Sequence, residues 1–79
     1  MDISEIIVKI IEDFKATQKR RPVNLFITSF DENDISNLPS DSLKRLGLDS
    51  WDIIKNGLKK RDNILGLKLK RNSKETRVE

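Results

Sequence analysis

The chain has no cysteine, no histidine and no tyrosine. Without cysteine it forms no disulfide, and without cysteine or histidine it lacks the two commonest soft metal ligands. The spaced acidic loop of a calcium site is missing too, so no cofactor is expected. The same absences remove most catalytic chemistry: serines without a histidine base cannot form a Ser-His-Asp arrangement. The three glycines, Gly47, Gly57 and Gly66, are too scattered to make a phosphate-cradling loop. Asp31, Glu32 and Asp34 lie together, but carboxylates doing acid–base work need a cleft that splits their pKa values. An acidic turn ahead of a helix is the simpler reading, and a non-enzyme is expected. No apolar run approaches the length that crosses a membrane. The first residues, Met1-Asp2-Ile3-Ser4-Glu5, place acids where a secretory leader has bases. An intracellular, cytoplasmic protein with no membrane partner is expected, and the lack of cysteine agrees with that.

What is present is charge, unevenly spread over 79 residues of net charge +3. Residues 1–40 carry five basic and seven acidic side chains, and residues 41–79 carry eleven basic and six acidic. A chain of this length makes one domain, 1–79, near the lower limit for an independent core. With no disulfide or soft metal site to staple it, packing and a second subunit are the remaining supports. A basic half on a small domain is the footprint of a polyanion-binding surface. A merely solvated face is the plain alternative.

Hydrophobic spacing divides the chain into short elements. Ile3, Ile6, Ile7, Ile10, Ile11 and Phe14 recur at helical spacing over residues 2–18, with Asp2 and Glu5 placed as a capping box. This isoleucine stripe is a core face and also a candidate homodimer seam. Pro22 stops the helix. Lys19, Arg20 and Arg21 before it compensate the helix dipole, or else reach a DNA backbone or form a localisation-type patch. Residues 23–30, rich in Val, Phe, Ile and Thr, read as a strand. A short helical piece carrying Ile35 and Leu38 follows and ends at Pro39. Ser40 is placed to cap a helix over 41–46, and Gly47 suits the left-handed position after it. Asp49 and Asp52 bracket a second capping box before an amphipathic helix over 49–61, with Trp51, Ile54 and Leu58 on its inward face and Gly57 tolerated inside it. From Leu65 onward, apolar and basic residues alternate through Leu67, Lys68, Leu69 and Lys70, as in a half-buried strand. A turn at 72–75 returns the chain as a strand stub with Val78 inward.

This order resembles the winged helix-turn-helix architecture. The residues carry no family signature for it; the likeness lies in the sequence of elements. It implies an α+β fold, a small winged-helix-like domain of three helices with a short two- to three-stranded antiparallel sheet. Residues 40–46, Gly47-Leu48 and 49–61 make the helix-turn-helix, and 64–79 the wing. Leu43, bulkier than the small residue usual at the helix crossing, and Asn56, polar where an apolar residue is usual, depart from the pattern.

The function expected from that likeness is duplex-DNA binding, as in a small transcription regulator of a virus or mobile element. Nucleic-acid-binding candidates are Lys55, Asn56, Lys59, Lys60 and Arg61 on the second helix and Lys68, Lys70, Arg71 and Lys74 on the wing. Asn pairs bidentately with adenine, while lysines supply salt-dependent affinity for phosphates. Asp49 and Asp52 would repel a phosphate backbone, so contact is expected at the helix C-terminal end and the strand. Two other readings stand beside this one. Phe26, Phe30, Trp51 and the Ile-rich helix suit a protein partner, as in a small inhibitor or adaptor. Single-stranded nucleic acid ranks third, because stacking platforms need several exposed aromatics.

Overall fold

A computed structural model describes all 79 residues. Helix α1 spans Ile3–Gln18, as its spacing predicts. The capping box forms: the Asp2 carboxylate accepts the Glu5 N–H, and the Glu5 side chain accepts the Asp2 N–H. The stripe is narrower than the sequence suggests. Ile3, Ile7 and Ile11 are buried in the chain's own core, whereas Ile6 is exposed.

The strand expected over 23–30 is only β1, Asn24–Phe26. Thr28 ends it by turning its hydroxyl to the Asp31 N–H, which caps helix α2, Ser29–Ser36. Asp31 and Glu32 in the first turn of α2 complement the helix dipole. Helix α3, Ser40–Arg45, starts after Pro39, and Ser40 makes no cap bond. It ends in a Schellman motif: the Leu48 N–H reaches the Leu43 carbonyl and the Gly47 N–H the Lys44 carbonyl, with Gly47 at φ 71°.

Helix α4 spans Ser50–Asn56 and is shorter than expected. Gly57, at φ 71° and ψ 174°, lies in a region nearly closed to other residues and breaks the helix. A 3₁₀ turn, Leu58–Lys60, continues the chain. Only half of the second capping box forms: Asp49 accepts the Trp51 N–H, but Asp52 turns to Asn56 and Arg61.

Strands β2 (Asn63–Ile64) and β3 (Leu67–Lys70) form a hairpin. Its two-residue turn is Leu65-Gly66, with φ 53° and 78°. Positive φ at both positions gives the twist that hairpin strands need. Leu65, expected within the strand, is therefore a turn residue. Strand β4 is Arg77–Val78, and Val78 packs against the core as expected.

The fold is α+β, but the sheet corrects the expectation of an antiparallel one. It is mixed and four-stranded, in the order β2-β3-β1-β4, and four helices accompany it in place of three. β1 runs parallel to β3 and antiparallel to β4. A parallel pair needs a long crossover, and the three helices between β1 and β2 supply it. The expected 64–79 wing is thus split. β3 pairs with β2, while β4 crosses to the far side of β1.

The core is wholly aliphatic, formed by 14 Ile and Leu residues from every helix, the 3₁₀ turn, the first three strands and the connecting residues Ile27, Leu46 and Leu48. No aromatic residue belongs to it. Trp51, expected inward, is 69% exposed, and Ile54 is 76% exposed. Ile53 is buried in their place. A polar tie fixes α1 to α3: Ser4 and Ser42 donate their hydroxyls to Asp2, and Arg45 donates to Ser4. These donations hold the Asp2 carboxyl at about 2, with Ser4 the larger cause and Ser42 next.

Candidate nucleic-acid interface

The sheet has two unlike faces. Leu25, Ile64, Leu67 and Leu69 are buried beneath the helices. In the same register, Asn24, Phe26, Asn63, Lys68, Lys70 and Arg77 share the other face, and none of them is buried. This is the alternation of an antiparallel-type half-buried sheet, imposed here on a mixed one. Arg77 stacks over Phe26, its guanidinium 4.1 Å from the ring centroid. Arg77 is also held by Glu79 at 2.6 Å. Lys68 and Lys70 make no ion pair.

Lys55 and Asn56 lie on the last turn of α4 and Lys59 and Lys60 on the 3₁₀ turn, all exposed. The break at Gly57 separates the two pairs, so they do not form the single helical row that the sequence suggests. Asp52 engages its neighbours: the Asn56 amide donates to it at 2.9 Å, and the Arg61 guanidinium stands 3.9 Å away. Lys55, Lys59 and Lys60 are free of carboxylates, as is Lys74 in the segment between β3 and β4.

Arg71 departs from the expected outward cation. It lies just past β3, and its side chain turns inward, 26% exposed. Its Nη2 donates to the Leu58 and Arg61 carbonyls, and its Nε stands 2.9 Å from the half-hidden Glu32 carboxylate. The Nε–Glu32 contact is an ion pair whose angle is poor for a hydrogen bond. The arginine therefore joins the end of β3 to the 3₁₀ turn and α2. It is a structural cation, and the alternation itself puts position 71 on the inward parity of Leu67 and Leu69.

The main chain links these pieces in order. The Leu69 N–H donates to the Asp62 carbonyl, and Arg71 reaches the carbonyls of the 3₁₀ turn, so Lys59 and Lys60 adjoin the Lys70 end of β3. Lys68 lies nearer the Leu65-Gly66 turn.

Sequence reasoning passed over a further concave surface. Lys15, Lys19, Arg20 and Arg21 alone line a shallow, open groove at the C-terminal end of α1. A neighbouring cleft of about 280 Å³ shares Lys15 and Arg21 and adds Glu12, Arg45 and the apolar Val8, Ile11 and Leu65. In the sequence, Lys19, Arg20 and Arg21 read first as compensation of the helix dipole, with a DNA-backbone contact or a localisation-type patch as the alternatives. No group of His, Cys, Asp and Glu side chains is disposed to hold a metal ion. No helix is long and apolar enough to cross a membrane.

Comparison of the chain with protein-family models, curated proteins and solved structures gives no match.

Proposed function

We propose that the protein is a non-enzymatic nucleic-acid-binding module that engages duplex DNA. The reading keeps α3, the Gly47-Leu48 turn and α4 as a helix-turn-helix, and takes the β2–β3 hairpin as the wing. The observation that carries it is that six lysines of the 3₁₀ turn, β3 and their flanks have no acidic partner: Lys55, Lys59, Lys60, Lys68, Lys70 and Lys74; Lys9, Lys19 and Lys44, outside this region, are also unpaired. Unpaired cations neutralise phosphates and release counterions, while the arginines nearby are held in internal contacts. Asp49 and Asp52 at the start of α4 keep its N-terminus from a phosphate backbone. Contact therefore falls on the 3₁₀ turn and the outer face of β3, with phosphate contacts positioning the domain. Asn56 reads an adenine only by exchanging its bond to Asp52.

The test is duplex affinity measured across a salt series. Six phosphate contacts give a log–log slope of about −5, and Lys59→Glu with Lys70→Glu reduces its magnitude by about 2. Absence of duplex binding at low salt would defeat the proposal. A single strand that binds more tightly than the duplex would transfer the lysines to the third reading, with Phe26 and Arg77 as its stacking pair.

A protein partner is the second reading, favoured by Trp51 and Ile54, exposed three residues apart on α4, and by Phe30, 73% exposed. Exposed aromatics on a helix suit a hot spot. Trp51 is the only tryptophan, so its fluorescence reports directly on α4. If the partner is a protein, the paired lysine reversals leave its affinity nearly unchanged and Phe30→Asp abolishes it.

A further inference from the structure

We infer that the groove at the C-terminal end of α1 is a second phosphate site, and that a DNA backbone runs from the lysines of β3 across the Leu65-Gly66 turn into it. The inference rests on the duplex-binding reading and adds residues to it.

Four cations line this groove and no carboxylate does. Glu12 neutralises Lys15 at 3.3 Å, but Lys19, Arg20 and Arg21 make no ion pair. Compensation of the helix dipole accounts for only part of this charge, because that effect fades within the last turn. Arg20 and Arg21 lie beyond Lys19, the left-handed cap residue of α1. Three uncompensated cations at adjacent positions repel one another, and an anion in the groove relieves the repulsion. Two of them are already placed. Arg20 sits over the Phe14 ring at 4.9 Å, and Arg21 donates to the Leu65 carbonyl at 3.5 Å.

The Arg21 contact joins the groove to the hairpin. Two residues further on, the Val23 carbonyl accepts the Lys68 N–H, and Lys68 pairs with Asn24. Backbone pairing therefore brings the segment after Arg21 beside Lys68, with Lys70 and the 3₁₀ turn further along β3. The long dimension of the domain is 36 Å. At about 3.4 Å per step, a duplex of about 12 base pairs exceeds that dimension and so suffices for any orientation of the domain on it.

The experiment compares wild type with Lys19→Gln/Arg20→Gln on a duplex of about 12 base pairs, across a salt series. Loss of two contacts lowers the slope's magnitude by about 2 and the affinity roughly 10- to 100-fold at 0.1 M salt. Thermal unfolding checks that the variant is folded. Amide shifts of the wild-type protein on adding the duplex give a measurement independent of any variant. They are expected to move at residues 15–21 together with 68–70. An unchanged slope in a folded variant, or shifts confined to residues 55–70, overturns the groove and leaves the duplex reading intact. Wild-type protein that does not bind at low salt defeats the duplex reading itself.

Discussion

Replacing Arg71 with methionine separates a cation that builds the fold from cations that meet a ligand. Methionine keeps much of the side-chain volume but removes the charge and every donor. Glu32, only 18% exposed, is left facing no counter-charge, and the Leu58 and Arg61 carbonyls lose a charged donor. Removing one partner of a fully buried pair costs about 3–5 kcal/mol. Both side chains here retain some contact with water, so a loss of about 2–3 kcal/mol is expected after discounting for solvent screening. A domain of this size has a total stability of about 4–12 kcal/mol, so the loss is a large share of it. It lowers the melting temperature by roughly 10–20 °C. Urea unfolding followed by circular dichroism gives the free-energy change directly. Arg71→Met/Glu32→Met recovers part of the loss, since no lone charge remains. Below the melting transition, the folded Arg71→Met protein keeps the wild-type salt slope for duplex DNA. A stability change under about 0.5 kcal/mol together with a slope reduced by about 1 would refute the assignment and place Arg71 at the ligand.

Two further perturbations test local devices. The Asp2 carboxyl is depressed from 3.8 to about 2, so its contribution is fully present above pH 3.8 and is lost as pH falls through about 2. Melting temperature should therefore fall across that window and fall less in Asp2→Asn; parallel curves for the two proteins would contradict the Ser4 and Ser42 contacts. Gly57→Ala meets no atom within 4 Å, so its cost is conformational, about 1–3 kcal/mol in denaturant unfolding. A neutral result would mean that α4 runs on through position 57.

The elements differed in how plainly the sequence displayed them. Helix α1 has more than four turns over which one isoleucine face repeats, and its cap lies within three residues of its start. Helix α4 has fewer than two turns, and there Trp51, Ile53, Ile54 and Leu58 fit more than one inward face. Periodicity could not choose between them, and packing buried Ile53 and Leu58 and left Trp51 and Ile54 exposed. The lysines of the candidate interface were visible because they alternate with leucines. Arg71 adjoins the same basic residues but falls on the inward parity of Leu67 and Leu69, and a contact with Glu32, 39 positions away, holds it inside. The groove at the end of α1 was hidden for a related reason. Its lining lies within residues 15–21, but the link from Arg21 to Leu65 exists only once the hairpin has docked.

Interactions a few residues long set four features without help from distant parts of the chain: the Asp2–Glu5 cap, the Schellman end at Gly47-Leu48, the alternation of β3 and the uneven charge. Glycine at 47 permitted the left-handed backbone that closes α3, whatever the helix then packed against. Tertiary structure alone decided that β1 pairs in parallel with β3, that β4 crosses to β1, and which face of α4 is buried. Strand direction leaves no mark on hydrophobic periodicity, since a strand reads the same whether its neighbour runs with it or against it. It is fixed by the path of the connecting chain and by the simultaneous burial of one aliphatic core, which no segment forms alone.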